Sequence, residues 1–235
     1  STGEAELVPD GYHADGWLLL VNGVQSSHVI VGQPRMLDFE YMRWIAAVLD
    51  SHIQTHLNPE KLRITHLGGG ACSLARYCAD VYPNSRNTVV ELDAKLAEYV
   101  RDWFDIPKSP RVKIRVGDAG AVTRSFAPAS RDVVIRDVFA VDKTPAELTS
   151  VDFVREVDHS MAPGGLYILN CGDGPSLDGA RAEVAALFEV FEQVCLVADA
   201  AMFKGRRRGN IIIAASHSPL PVAGSAEAAA ISRTL

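Results

Sequence analysis

Residues 62–93 read LRITHLGGGACSLARYCADVYPNSRNTVVELD, and the pattern of this stretch is the main basis for predicting the fold. A short β-rich run leads into Gly68, Gly69 and Gly70, a segment with helical character follows, and a second β-rich run ends at Glu91. This order is typical of a nucleotide-binding βαβ unit, in which the glycines let a ligand lie against the backbone beside the helix N-terminus. An acid about 20 residues after the glycines can accept hydrogen bonds from both hydroxyls of a ribose. An ordinary strand-to-helix turn would also accept a glycine triplet. Only the other motifs of the chain can distinguish this alternative from a nucleotide-binding unit.

The composition is that of an ordinary soluble α/β protein. The 235 residues are 48% hydrophobic and 22% charged, which suits one domain with a substantial core and a small appendage. The net charge of −6 disfavours general binding to nucleic acid. No apolar run approaches the length of a membrane span, and the first residues, STGEAELVPDGYH, lack the basic start and the apolar stretch of a signal peptide. We therefore expect a cytoplasmic protein that has neither a nucleic acid nor a membrane as a partner.

The cysteines and histidines predict neither a disulfide framework nor a metal site. His52 and His56 have a spacing that could place two metal ligands on one helix face, but no third ligand is near in the sequence, so an exposed helix end is the favoured interpretation. No metal and no permanently bound cofactor are predicted. The chain has no CxxC pair, and we expect reduced thiols that lie mostly in the core at Cys72, Cys78, Cys171 and Cys195.

The first 35 residues predict a small N-terminal β-hairpin element. Asn22-Gly23 lies between two β-rich runs, and both residues tolerate the positive φ of a tight turn. A hairpin as short as Leu18–Val31 is marginal alone, so we expect it to pack against a copy of itself or against the main domain in a homodimer. The main domain is predicted over residues 36–217 and opens with a helix that Asp38 would cap. Residues 218–235 are predicted to form a peripheral or mobile tail.

Two further β-rich runs end in acids. Asp118 follows VKIRVG and Asp137 follows RDVVIR, and the carboxyl edge of an open α/β sheet is where ligands bind. Asp118 could also cap the helix that follows it. Arg131 and Arg136 are unusual for a buried strand, so we expect one side of that strand to be less covered than the others. A loop over residues 138–150 is predicted to cover the same edge of the sheet.

The remaining chain predicts two helices and three strands. The first helix starts near Val151, and Pro163-Gly164-Gly165 separates it from a strand reading LYILNCGDG. The second helix covers about Leu177–Phe188, and the runs FEQVCLVA and GNIIIAAS form the last two strands. The loop between these strands could contact phosphates, but a solvated loop is the favoured interpretation of its basic residues, which are Lys204, Arg206, Arg207 and Arg208.

Acids at three successive strand ends, followed by a strand hairpin, make the chain resemble the S-adenosylmethionine-dependent transferases. More narrowly, it resembles the spermidine synthases, which are polyamine aminopropyltransferases. Each matching piece is common, but ten in this order are specific. The resemblance implies an α/β fold whose Rossmann-like, mostly parallel seven-stranded sheet carries the small N-terminal β-hairpin element. The pieces between about Leu18 and Ser216 are NGVQ, DFEY, LGGG, Arg76, VELD, GDA, VIRD, PAEL, Phe153 with MAPGG, and GNIIIAAS.

The resemblance also implies an activity, the transfer of an aminopropyl group from decarboxylated S-adenosylmethionine, as co-substrate, to an amine such as putrescine. The partners would be a small-molecule amine and a nucleoside sulfonium. A free aliphatic amine has a pKa of about 10.4, so an acid that binds the cation and takes one proton suits this reaction. Asp137 would be that catalytic carboxylate, and Tyr41 and Asp142 would lie beside the amine. The nucleoside would be held at its ribose by Gln25 and Glu91, at its adenine by Asp118 and Ala119, and along the loop by Gly68, Gly69 and Gly70.

Three positions depart from the family pattern. The glycine loop of the family continues with Asp-Gly-Gly, and that aspartate is associated with the amine of the donor's aminopropyl arm, whereas here the first place holds Ala71. The second aspartate of the family's catalytic loop is Ala140, with Asp142 close by, and the histidine after the tyrosine is Met42. Each missing group would have contacted a cationic or amine part of a ligand. The sequence therefore supports nucleoside binding better than polyamine chemistry.

Two other functions stay open for this sequence, and a third is disfavoured. One is a methyltransferase, or another transferase, that uses S-adenosylmethionine itself, because the loss of the acid at Ala71 would make the site less selective for a free amine tail. Another is a catalytically silent nucleoside-binding homologue. An NAD-dependent dehydrogenase is disfavoured, since Ser73 stands where the third fingerprint glycine would be and the final strand hairpin suits transferases better.

Overall fold

A computed structural model describes residues 3–140 and 143–233 of the chain. The predicted amine-contacting residue Asp142 lies outside the described residues. Within the described part, no helix is both long enough and apolar enough to cross a membrane. The cysteines are free thiols, and three of the four are buried, as predicted.

The N-terminal element is a three-stranded antiparallel sheet rather than a hairpin alone. Strands β1 (Ala5–Pro9), β2 (Gly16–Val21) and β3 (Val24–Ile30) lie in the order β1-β2-β3. The predicted turn is present, because Asn22 and Gly23 have φ values of 51° and 76°. The prediction omitted β1, a short run that ends in a proline and pairs with only one neighbour.

The main sheet has seven strands and confirms the predicted fold class. In chain order they are β4 (Arg63–Leu67), β5 (Arg86–Glu91), β6 (Val112–Val116), β7 (Arg131–Arg136), β8 (Met161–Asp173), β9 (Gln193–Val197) and β10 (Gly209–Ser216). Their order across the sheet is β6-β5-β4-β7-β8-β10-β9, and β10 runs antiparallel to both of its neighbours. The strand order reverses between β4 and β7, and ligands of open α/β sheets bind at the carboxyl ends of the strands at such a reversal.

Helices cover both faces of this sheet. Along β7, Val133 and Ile135 pack with α1 on one face, whereas Val134 packs with α5 and α6 on the other, as the two-residue period of a strand requires. The N-terminal sheet packs against α2 through a cluster that contains Leu19 and Val29. The helices are α1 (Glu40–His56), α2 (Ser73–Val81), α3 (Ala94–Trp103), α4 (Ala119–Arg124), α5 (Val151–Ser160), α6 (Asp178–Phe188), α7 (Ala200–Phe203) and α8 (Ala226–Arg233).

Two local predictions about element ends are wrong. Asp38 does not cap α1, because Phe39 occupies the N-cap position and makes no side-chain capping bond. Pro163-Gly164-Gly165 does not precede the next strand but lies inside β8. The pairing of β7 with β8 shifts there, from Arg131 opposite Met161 to Val133 opposite Leu166, and this irregularity accommodates the proline within the sheet.

The prediction of a less covered side on β7 is also wrong. Arg136 has no exposed surface, and its guanidinium donates to Glu183 Oε2 at 2.5 Å and to the Leu148 carbonyl at 2.5 Å. Arg131 lies over the Phe126 ring, with its guanidinium carbon 4.0 Å from the ring centre. The charge of Arg136 therefore has its partners inside the fold, whereas Arg131 is partly buried and packs over an aromatic ring.

The C-terminal end of α1 and the C-terminal tail also differ from expectation. His52 is buried and forms a 2.8 Å hydrogen bond through Nε2 with the Gly164 carbonyl, so it belongs to the core and not to an exposed helix end. The tail forms α8, which packs against α1, and its Ile231 is buried together with Leu220. The tail thus contributes to the core, and the predicted division of the chain into three parts stays a prediction.

Candidate active site

A cleft of about 1280 Å³ opens at the carboxyl ends of β4, β5, β7 and β8. The N-terminal sheet forms one of its walls through β3. All predicted site residues within the described part of the chain line this cleft, although they come from six separate places in the sequence. They are Gln25, Tyr41, Gly68, Gly69, Gly70, Glu91, Asp118, Ala119 and Asp137.

The glycine loop at the end of β4 needs its glycines. Gly68 has a φ of +93°, and a Cβ there would lie 2.1 Å from the Asp137 carbonyl oxygen. Gly70 has a φ of +47°, and a Cβ there would lie 2.5 Å from Ser27 Oγ. Both the backbone conformation and the close approach of neighbouring elements therefore exclude a larger residue at these two places.

Strand β3 holds the glycine loop in place. The Ala71 amide donates to Ser27 Oγ at 3.0 Å, and Ser73 Oγ donates to the His28 carbonyl at 2.9 Å. Ser27 and His28 are buried, so these bonds are shielded from water. No local sequence pattern predicts Ser27 as part of the site, because it contacts a residue that lies 44 positions further along the chain.

Cys72 follows the loop and stands at the N-cap of α2 with a φ of 59°. Its side chain makes no capping bond, so the first amides of α2 have no side-chain acceptor from this residue. Burial raises the pKa of the Cys72 thiol to about 12, so this cysteine stays protonated at neutral pH and is not suited to act as a nucleophile.

Glu91 lies at the end of β5, opposite the glycine loop. Its Oε2 accepts a hydrogen bond from the Gly69 amide at 3.1 Å, and its Oε1 accepts one from the Asp93 amide at 2.9 Å. A carboxylate oxygen has two lone pairs, so each oxygen can still accept one bond from a ligand. At the next strand end, Asp118 Oδ1 accepts from the Ala121 amide at 2.8 Å and caps α4, which confirms its predicted capping role.

Asp137 lies at the end of β7 between two fixed donors. The Tyr41 hydroxyl donates to Oδ2 at 2.9 Å, and Asn170 Nδ2 donates to Oδ1 at 2.9 Å. Burial raises the pKa of Asp137 above its ordinary value, although both bonds and the nearby charge of Arg136 favour the ionised form. The result is an oriented carboxylate that binds a proton more readily than an exposed aspartate does.

A smaller side pocket of about 290 Å³ opens beside Tyr41 and brings two further charges towards the site. Glu40 and Arg207 lie on its wall, with Arg207 Nη2 3.8 Å from Glu40 Oε2. The sequence predicts no role for Glu40, although this residue stands next to Tyr41 in the DFEY stretch, and it predicts that Arg207 belongs to a solvated loop. The other residues that line this pocket are Gln25, Phe39, Trp44, Gly209 and Asn210.

The three departures from the family pattern differ in their surroundings. Ala71 has no exposed surface and Met42 is almost fully buried. Ala140 is exposed at the rim of the cleft and pairs with Lys143 across a short bridge. None of these three side chains supplies a charge to the cleft.

No family model matches the chain. A curated relative, the eEF1A lysine and N-terminal methyltransferase of Mus musculus, is 31% identical over 141 residues, which cover 55% of this chain and 20% of that protein. The polyamine aminopropyltransferase of Vibrio vulnificus is 26% identical over 140 residues, which cover 59% of this chain and 45% of that protein. The chain thus spans between a fifth and a half of the length of these relatives.

A solved structure is similar over almost the whole chain. It is a probable spermidine synthase from Corynebacterium glutamicum, 58% identical, with a TM-score of 0.96. The similarity covers 98% of this chain and 83% of that one. Identity at this level over this length extends the resemblance from scattered motifs to the complete fold. The chain belongs to the spermidine synthase family.

Proposed function

We propose that the protein transfers an aminopropyl group from decarboxylated S-adenosylmethionine to a small amine such as putrescine. The observation that carries this proposal is the position of Asp137, held by Tyr41 and Asn170 inside the cleft that Glu91 and the glycine loop also line. Membership of the spermidine synthase family and the similarity to polyamine aminopropyltransferases support the same activity.

The donor is proposed to lie along the half of the cleft between β3 and β5. Glu91 would accept both ribose hydroxyls with the lone pairs that its backbone donors leave available, and Gln25 would contact the same sugar. Asp118 and Ala119 would contact the adenine at the start of α4. The glycine loop would then place the sulfonium near the end of β4, where Asp137 follows on the neighbouring strand.

Asp137 is proposed to act as the general base. The acceptor arrives as an ammonium ion, so the carboxylate first binds the cation and then takes one proton from it. The freed nitrogen lone pair forms a bond to the aminopropyl carbon beside the sulfonium, the carbon–sulfur bond breaks, and its electron pair stays on the sulfur of methylthioadenosine. The raised pKa of Asp137 makes it a stronger base than an exposed aspartate. Tyr41 and Asn170 keep its oxygens aimed at the cleft.

The side pocket is proposed to receive the far end of the acceptor. Glu40 supplies a carboxylate there, beside Tyr41, and can bind the second ammonium group of a diamine. Its contact with Arg207 is long, at 3.8 Å, so a bound ammonium can compete with it. Glu40 would thereby replace part of the negative charge that is absent at Ala140.

A second candidate is a transferase that uses S-adenosylmethionine itself, such as a methyltransferase. Ala71 favours it, because the loop carries no acid to bind the free amine tail of a decarboxylated donor. The similarity to the mouse methyltransferase points the same way, over 55% of this chain. The two candidates differ in their leaving product, methylthioadenosine for the first and S-adenosylhomocysteine for the second.

We also propose that the protein works as a homodimer in the cytoplasm without a permanently bound cofactor for this reaction. The N-terminal sheet leaves Val24 about half exposed, at 52%, which suits a surface that packs against a second copy. Light scattering at micromolar concentration should give twice the chain mass. A monomer over that range would contradict the dimer without affecting the proposed reaction.

The function is tested by product analysis. The purified protein is incubated with putrescine, cadaverine or spermidine and with either decarboxylated S-adenosylmethionine or S-adenosylmethionine, and the products are identified by mass spectrometry. Equal amounts of methylthioadenosine and an aminopropylated amine are expected from the decarboxylated donor. S-adenosylhomocysteine formed with a methylated amine would favour the second candidate, and the absence of any product would favour a binding protein.

A further inference from the structure

A cluster of three metal-binding side chains lies in the N-terminal sheet, away from the cleft. Asp10 and His13 belong to the connection between β1 and β2, and His28 belongs to β3. One donor atom from each of the three lies within 4.8 Å of the other two. The sequence alone does not bring them together, because pairing of β2 with β3 is what places His28 beside residues that precede it by 15 or more positions.

The carboxylate of Asp10 is fixed in a direction that suits a metal. Its Oδ1 accepts hydrogen bonds from the backbone amides of Tyr12 and His13, both at 2.8 Å. Its Oδ2 faces the two imidazoles, at 2.8 Å from His13 Nδ1 and 2.8 Å from His28 Nε2. The backbone thus holds one oxygen and leaves the other for the cluster.

The carboxylate of Asp10 lies in a close-fitting and nearly buried position. Asp10 exposes only 5% of its side chain, and a Cβ at Gly16 would lie 2.0 Å from Asp10 Oδ2, so no larger residue fits at that place. His28 is buried, whereas His13 exposes 45% of its side chain and leaves a route from solvent.

We infer that Asp10, His13 and His28 form a binding site for a divalent transition-metal ion of the zinc class. Two imidazoles and one carboxylate with an open position are a common ligand set for Zn²⁺, Fe²⁺ and Co²⁺. Tetrahedral Zn²⁺ with ligands at about 2.0–2.1 Å separates its donor atoms by about 3.3 Å. The two Asp10–imidazole distances would have to widen slightly, and the exposed ring of His13 can move to allow it.

The site would fasten the β1–β2 connection to β3. This strand also holds the glycine loop, since the His28 carbonyl accepts from Ser73 and the adjacent Ser27 accepts from Ala71. The metal would therefore be structural, bound at the outer end of the wall that supports the nucleoside cleft. It takes no part in the proposed aminopropyl transfer.

The test is calorimetric titration of the untagged, chelator-treated protein with Zn²⁺. We expect one ion per chain, and we expect His13→Ala and Asp10→Asn to weaken its binding by at least about tenfold. His217→Ala is the matched control, because His217 is also exposed and also pairs with an aspartate, Asp158, at 2.9 Å, yet has no third ligand in the described part of the chain. This control should bind Zn²⁺ like the wild type.

A second measurement uses Co²⁺ in place of Zn²⁺, because the visible absorption of Co²⁺ reports its nitrogen and oxygen ligands directly. Bands that are present in the wild type and absent in His13→Ala would support the site, and this exposed variant keeps the test valid even where Asp10→Asn fails to fold. Absence of Zn²⁺ binding by the wild type, or equal binding by His13→Ala and the wild type, would overturn the inference. Neither result bears on the aminopropyl transfer.

Discussion

Glu91→Gln tests the nucleoside half of the cleft. Each oxygen of the Glu91 carboxylate accepts one backbone amide, from Gly69 at 3.1 Å or from Asp93 at 2.9 Å, and retains one lone pair for a ribose hydroxyl. In the variant one oxygen becomes an amide nitrogen, which can accept no hydrogen bond. One of the two hydrogen bonds from the ribose is then lost, and the other has a neutral oxygen as its acceptor instead of a charged one.

A hydrogen bond to a charged group contributes about 1.5–3 kcal/mol, so the dissociation constant of methylthioadenosine should rise by about 10- to 150-fold. Isothermal titration calorimetry measures this change, with the exposed Glu98→Gln of α3 as the matched control. The apo protein should also melt at a lower temperature, because one backbone amide loses its acceptor. A Glu91→Gln variant that binds methylthioadenosine as tightly as the wild type would refute the placement of the ribose at Glu91.

The remaining predictions concern the acceptor pocket, the core and the base. Glu40→Gln should raise the KM for putrescine by about fivefold and leave kcat nearly unchanged, as measured by steady-state kinetics, since one charged contact near the surface contributes about 1 kcal/mol. Glu183→Gln should lower the free energy of unfolding by about 3–5 kcal/mol in urea titration, because the buried Arg136 then lacks its oppositely charged partner. Asp152→Asn is the control, because this exposed aspartate also pairs with an arginine, and it should have no measurable effect. Burial raises the pKa of Asp137, so the ionised carboxylate lowers the free energy of unfolding at a pH above that pKa. Asp137→Asn should therefore melt at a higher temperature than the wild type at about pH 7. The difference in melting temperature should become smaller as the pH falls towards about 4, because the carboxyl of the wild type is then protonated.

The sequence predicts those parts of the site that depend on one local pattern. The glycine triplet, the acid that follows it and the acids at two later strand ends are read from single stretches, and parallel strands bring their carboxyl ends to one edge. Those residues line one cleft in the structure. The main sheet is predictable for the same reason, because its strands are β-rich runs separated by glycines, prolines and helical segments.

Contacts between distant segments are what the sequence does not predict. Asn170 donates to Asp137 across 33 residues, and Ser27 accepts from Ala71 across 44. Burial of Arg136 in a strand is explained only by its partner Glu183, which lies 47 residues away in the sequence and beside it in the fold. In each case the free energy depends on a partner that only the folded chain supplies, so propensity and periodicity carry no signal for it.

The most direct test of the proposed reaction is a single-turnover comparison of the wild type with Asp137→Asn at saturating decarboxylated S-adenosylmethionine and putrescine. The asparagine keeps the shape of the side chain and removes its charge, so the rate of methylthioadenosine formation should fall by about 10²–10⁴-fold. The affinity for methylthioadenosine should stay that of the wild type, because Asp137 is not assigned to the nucleoside. A variant that forms spermidine as fast as the wild type would contradict the assignment of Asp137 as the base.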